Sequence, residues 1–390
     1  MDFDEIIERR DTHSAKWDLI DKIYGVPKDD GIAMWVADMD FRPPQVAYDA
    51  INKMQEYGIF GYYGDEDSYK RAIIWWMQNR HSWKVEPDWI FSTHGLVNGT
   101  ALCIDAFSSV GDGVVLFTPV YHAFYRIIKA ADRKVVECPL KLENNSYQFD
   151  FDNYDHLLNG NEKIALLCSP HNPGGRVWSN TELRAVASFC RKHDLILVSD
   201  EIHHDLVFPG QKHIVAPNSI PEFTDRMVML TATTKTFNIA GSHTGNVIIE
   251  DEHLRGKFHK RVNALGISPN SFGLFLAEAV YSREGAEWVD RLMNYLDENR
   301  RLFDTAIATI PGLTSMPLEA TYLAWVDFRA LGLSNQEITD RIHKSAKLAT
   351  NLGQTFGLGG DGFHRFNLAT PRTILMEAIE RLKTAFEDLA

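Results

Sequence analysis

The chain has 390 residues, 45% of them hydrophobic and 24% charged, enough to bury a large core in two domains. A net charge of −13 disfavours direct nucleic-acid binding, which needs a basic face, and no apolar run approaches the ~18 residues of a membrane span. The acidic start, Met1-Asp-Phe-Asp-Glu5, lacks the basic and apolar regions of a secretion signal, and the four cysteines show no paired metal spacing, so a cytoplasmic protein without a metal is expected.

The first segment with chemical content is Thr93-His-Gly-Leu-Val-Asn-Gly-Thr100, a glycine turn that opens an apolar helix. The free backbone N–H groups around Gly95, Leu96 and Val97 suit a phosphate. Residues 114–117 and 135–138 read as buried strands. Residues 164–168 form the next, followed by Ser169-Pro-His-Asn-Pro-Gly-Gly-Arg176, a turn string that presents the Asn172 amide. Ser179 and Glu182 have capping-box spacing, and Leu183, Val186, Ala187 and Cys190 make one apolar stripe, which predicts a helix. Residues 195–199 are a further strand, with Asp200-Glu-Ile-His203 at its C-terminal end. Residues 227–230 make another, and run into hydroxyl residues and then Lys235. Past Glu284 the pattern changes, and residues 287–310 are helical in period.

This alternation predicts an α/β architecture. The polar residues of interest fall just beyond strand C-termini, the edge where open α/β sheets bind ligands. No Gly-x-Gly-x-x-Gly follows the first strand, which disfavours a nicotinamide dehydrogenase. Taken singly, each feature has a plain structural reading: a surface lysine, a turn aspartate, an ordinary Asn-Pro-Gly-Gly turn, a helix start. Their order along the chain points instead to a pyridoxal 5′-phosphate (PLP) site. Lys235 would carry the cofactor as a Schiff base, and Asp200 would keep its pyridine nitrogen protonated. Asn172 would donate to the ring oxygen and to a substrate carboxylate.

Almost the whole chain resembles the fold-type-I PLP enzymes, in particular the MalY/PatB-type C–S β-lyases, which are relatives of the class I/II aminotransferases. Specific to that branch are Met34-Trp-Val-Ala-Asp-Met-Asp-Phe41 and Asp200-Glu-Ile-His203. Pro119-Val-Tyr121 and Gly362-Phe-His-Arg-Phe-Asn367 with Pro371-Arg372 also carry the resemblance, while the Asn172-Pro173 segment and Lys235-Thr-Phe-Asn-Ile-Ala-Gly241 belong to the wider superfamily. The resemblance implies an aminotransferase-type fold. Its large domain, residues 46–285, would hold a mostly parallel central sheet, and residues 1–45 with 286–390 would form a smaller α+β domain. It further implies that Tyr121 stacks on the cofactor ring and His203 contacts the ring oxygen. Arg365 would clamp the substrate α-carboxylate, with Val36 and Ala37 beside the substrate. Tyr62 would reach the phosphate of a neighbouring subunit, giving a homodimer with composite sites.

The chain departs from the family pattern in three places. Ala232 stands where relatives commonly place a phosphate-binding serine. Thr231, Thr233 and Thr234 are the alternatives for that hydroxyl, and Thr234 is carried among the cofactor-binding candidates. His243 replaces a frequent phosphate-binding arginine, and Pro119-Val-Tyr-His-Ala-Phe124 lacks a proline found in many C–S lyases. Asp38 and Asp40 read as loop-stabilising, and His204 as structural. The leading expectation is β-elimination on sulfur-containing L-amino acids, yielding pyruvate, ammonia and a thiol. The alternatives are an aminotransferase and, as a minor one, a regulatory partner-binding protein.

Overall fold

The computed structural model describes residues 2–268 and 270–389. Strand β1 (Ile32–Ala33) and helix α1 (Asp67–His81) precede a seven-stranded sheet. In chain order the sheet contains β2 (Ile90–Thr93), then β3 (Gly113–Thr118) and β4 (Lys134–Pro139). It continues with β5 (Glu162–Cys168), β6 (Ile196–Asp200), β7 (Met227–Thr231) and β8 (Gly245–Ile248). Helices α2 (Leu96–Phe107), α3 (Ala123–Ala130) and α4 (Asn180–Lys192) connect them, and the short α5 (Thr233–Thr236) follows β7.

The spatial order is β2-β8-β7-β6-β5-β3-β4, parallel except for β8, which pairs antiparallel with β2 and β7. After β4 fills one edge, the chain returns to lay β5 on the other side of β3. That reversal opens a crevice beyond the C-terminal ends of β3 and β5.

The residues that make the strands explain their burial. In β3, Val115 and Phe117 face one apolar cluster, while Val114 and Leu116 face another. The parallel strands are therefore covered on both sides and read as continuous apolar runs. Each such aliphatic side chain contributes roughly 2 kcal/mol by burial. Helix α4 begins where its sequence says. Ser179 Oγ accepts from the Glu182 N–H at 3.3 Å, and the Ser179 N–H donates to Glu182 Oε2 at 2.9 Å.

Beyond the main sheet, α6 (Arg283–Ile307) starts four residues before the sequence reading. Ser282 caps it, accepting from the Gly285 N–H at 3.2 Å. A four-stranded antiparallel sheet follows, built from β9 (Thr314–Ser315), β10 (Leu323–Asp327), β12 (Asn351–Leu352) and β13 (Phe363–Asn367). Just before β12, β11 (Leu348–Ala349) pairs in parallel with β1, matching Ile32 to Leu348. Strands β2 and β8 were not foreseen from the sequence, and the second sheet was expected only as part of a smaller α+β domain, without its individual strands. No helix among the described residues is long and apolar enough to cross a membrane.

Candidate active site

The C-terminal edge of the main sheet and the second sheet enclose a cavity of about 830 Å³. Five turns deliver its polar groups: Gly95 after β2, Tyr121 after β3, Asn172 after β5, Asp200 and His203 at the end of β6, and Lys235 after β7. Because β8 runs antiparallel, its starting end lies at the same edge, and His243 arrives there too.

Lys235 lies at the cavity floor, where its ammonium donates to the Ala37 carbonyl at 2.6 Å. Burial lowers its pKa to about 8, assisted by the Arg365 charge and opposed by Asp38 and Asp200. Such an amine is neutral for part of the time near neutral pH, as a nucleophile or base must be. Asp200, the last residue of β6, is buried and accepts from the Ile202 N–H at 3.1 Å. Burial, with the Glu201 charge beside it, raises its carboxyl to about 7, against the pull of Lys235. A cationic ring nitrogen placed against it would restore full ionisation.

Arg365, on β13, is buried and crosses the cavity roof. Its guanidinium donates to Asn172 Oδ1 at 2.8 Å, to the Trp35 carbonyl at 2.8 Å and to Asn351 Oδ1 at 2.5 Å. The Arg365 Nε–H and His203 Nδ1 have no hydrogen-bond partner although both are buried. Orphaned polar atoms in a polar cavity are what a bound ligand satisfies.

The phosphate turn has the features a phosphate requires. Gly95 takes φ +82°, which a side chain would strain, and no side chain caps the first turn of α2. Gly245 packs against that turn so closely that a Cβ would stand 3.0 Å from the Leu96 nitrogen and 2.9 Å from the Gly95 carbonyl carbon. Leu96, Val97, Thr234 and His243 all line the cavity. Thr231 and Thr233 do not line it; Thr231 lies instead 3.4 Å from the His204 ring nitrogens. A helix-opening turn with free N–H groups, a floor lysine and a carboxylate at the sheet edge together fit pyridoxal 5′-phosphate.

Val36 and Ala37 line the cavity on the loop of residues 34–41. Two asparagines hold that loop. Asn238 Nδ2 donates to the Met39 and Phe41 carbonyls at 3.0 and 2.7 Å, and Asn367 Nδ2 donates to Val36 and Asp38 at 2.7 Å each. Asp40 is buried in an ion pair with Lys16 at 2.7 Å and Arg9 at 2.8 Å, and Arg9 also pairs with Asp38. Burial works against charge on Asp40, but Lys16 and Arg9 outweigh it and hold the carboxyl below its usual range. The two aspartates thus fasten the loop to the N-terminal segment.

His204 points away from the cavity into a buried knot around Asp205. That carboxylate accepts from Trp76 Nε1 at 3.0 Å, His81 Nε2 at 2.8 Å and Thr236 Oγ1 at 2.9 Å. The ligand atoms of His81, His204 and Asp205 lie within 4.8 Å of one another, but donors already occupy both carboxylate oxygens. The knot ties α1 to the residue next to Lys235.

Tyr62 is the one predicted site residue that the chain does not bring to the cavity. It is 99% exposed, on a segment that also exposes Phe60. Sequence reading missed His122, Arg126 and Asn351, which line the cavity. Asn351 could not be found locally, because only its register opposite Arg365 brings it there.

Residues 30–382 match the family model for aminotransferase class I and II. The cystathionine beta-lyase PatB of Bacillus subtilis (strain 168) is 37% identical over 99% of this chain and 100% of its own length. Protein MalY of Escherichia coli (strain K12) is 31% identical over 99% of this chain and 98% of its own. The crystal structure of cystalysin from Treponema denticola, which contains a pyridoxal 5′-phosphate cofactor, has a TM-score of 0.95 and 36% identity, covering 100% of this chain and 99% of that one.

Proposed function

The chain belongs to the aminotransferase class I and II family, and from that premise we propose that it is a PLP-dependent C–S β-lyase acting on L-amino acids with sulfur at Cβ. The observation that carries this reading is the near full-length likeness to a cystathionine beta-lyase. The overall conversion takes a cysteine S-conjugate and water to a thiol, pyruvate and ammonia.

When bound, PLP supplies an electron sink for charge at the substrate Cα. Lys235 would be its attachment point, and its amine, when free, would take the Cα proton. Its lowered pKa equips it for that transfer. Asp200 holds the ring nitrogen protonated. Asn172 would donate to the ring oxygen, and Tyr121 would stack on the ring. Gly95, Leu96 and Val97 would hold the phosphate, with Thr234 and His243, and His203 would contact the ring oxygen. Arg365 binds the substrate α-carboxylate. The guanidinium is planar and already oriented by Asn172 and Asn351, so little ordering remains when the carboxylate arrives. Val36 and Ala37 cover the substrate. The two sheets support a division into residues 46–285 and 1–45 with 286–390. The four buried free cysteines support a reducing, cytoplasmic setting.

The experiment counts pyruvate per active site with cystathionine or another cysteine S-conjugate and no keto acid added. Many turnovers are expected. At most one equivalent, restored by added keto acid, would identify an aminotransferase instead.

The site is completed by a second copy of the chain, whose Tyr62 reaches the phosphate. The exposed aromatic segment around Phe60 and Tyr62 supports this. Mixed dimers of Tyr62→Phe and Lys235→Ala chains are expected to regain one intact site and exceed the average of the two parent dimers. The comparison requires a measurable defect in the Tyr62→Phe homodimer, and activity at the parental average would place Tyr62 within its own chain's chemistry.

A further inference from the structure

The cavity is lopsided in charge. Its lining includes Lys235, Arg365 and Arg126 but a single carboxylate, Asp200. Three of these four charges have work in the reading above, and Arg126 has none. It stands on α3, five residues past Tyr121, and is exposed at the cavity mouth. Among the described residues it makes no ion pair and no hydrogen bond. Arginine is the side chain best matched to a carboxylate, so an unpaired one in a ligand cavity is a recognition group in waiting.

Its neighbours define what reaches it. His122 opens the same helix, its ring 5.7 Å from that of Phe356. Burial, with the Arg365 and Arg126 charges, lowers its pKa to about 4, so near neutral pH it is an uncharged imidazole. Ile127, Ile23 and Tyr24 supply apolar wall. Lys235 occupies the floor and Arg365 is fixed against Asn172, so the open direction for a substituent on sulfur is the mouth. A substituent leaving that way passes apolar wall and ends at a free cation. No carboxylate lines the mouth to receive a distal ammonium.

We propose that Arg126 is a specificity-determining residue that binds a carboxylate at the far end of the sulfur substituent, with His122 as a second donor. Cysteine S-conjugates ending in a carboxylate are then preferred over uncharged or cationic ones. This rests on the β-lyase reading.

The test uses the holoenzyme and three substrates of similar length: S-(2-carboxyethyl)-, S-butyl- and S-(2-aminoethyl)-L-cysteine. The expected order of kcat/KM for pyruvate release is carboxyethyl, butyl, aminoethyl. A solvent-exposed ion pair stabilises by up to about 1 kcal/mol, so the carboxyethyl-to-butyl ratio should be roughly fivefold. Arg126→Met should bring that ratio near unity, mainly through KM, and Arg126→Lys should retain part of it. A wild-type enzyme with no preference, or a ratio that survives Arg126→Met, overturns the proposal. Calorimetric binding of L-2-aminopimelate against L-2-aminooctanoate, neither of which has a C–S bond, separates the two readings. If no conjugate yields pyruvate but the dicarboxylate binds more tightly, and Arg126→Met erases that difference, the β-lyase reading fails and the anion subsite stands. Equal binding of the two by the wild-type enzyme overturns the subsite whatever the reaction.

Discussion

Lys235→Ala is expected to abolish turnover, by at least about 10⁴-fold, and to remove the yellow absorbance of lysine-bound PLP. The loss should be this large because, on the proposed reading, one amine would serve twice, as covalent anchor and as base at Cα. No other lysine lines the cavity. The variant should still fold. Lys235 sits within a four-residue turn of helix, and its one side-chain hydrogen bond, to the Ala37 carbonyl, leaves that oxygen facing a solvated cavity when lost. Far-ultraviolet dichroism and thermal midpoint separate this from misfolding. The phosphate turn and Asp200 remain, so the variant should still take up PLP without the covalent link. An unchanged absorbance spectrum would remove Lys235 from its assigned place.

Asp200→Ala is expected to bind PLP yet turn over more slowly by roughly two orders of magnitude or more. The physical reason lies in its position. Burial raises the carboxyl to about 7 even against the pull of Lys235, so without a cationic ring beside it the group is only partly ionised at neutral pH. A protonated ring nitrogen beside it shifts both groups toward their charged forms, and the ring then withdraws electrons strongly. Alanine cannot hold that proton, and the Asp200→Asn isostere should fail similarly while keeping the packing. The two variants therefore separate a lost charge from a cavity. Near-native turnover of either at saturating PLP would show that another group protonates the ring.

What was legible in the sequence was local. The strand ending at Asp200, the strand before Lys235 and the Ser179 capping box depend on patterns within a few residues, and each lies where its pattern puts it. Strands β2 and β8 were missed because each has four residues and β8 begins with Gly245-Asn246, a pair that reads as a turn. Their strand character comes from pairing with each other, which brings Thr93 against Gly245. The site was legible as residue types but not as partners. That Arg365 holds Asn172, and that Asn238 fastens Met39, are contacts between residues about 200 positions apart. No local spacing encodes them. The aspartates of the 34–41 loop were read correctly as stabilising, although their partners, Arg9 and Lys16, emerged only from the fold. Arg126 was passed over because an arginine on an amphipathic helix ordinarily faces water, and only the cavity shows what this one faces.

The pairing of Ile32 with Leu348 sets the order in which the molecule can be completed on the ribosome. The loop bearing Val36 and Ala37 leaves the exit tunnel early. Its neighbours β11 and Asn367, which accept and clamp it, are made more than 300 residues later. Until then the nascent chain can hold a finished main sheet, with Lys235 and the phosphate turn already facing outward on its edge. Joining segments so distant in the chain is entropically slow. Arg365 and the loop can therefore close the cavity only over a floor whose residues have been made before them.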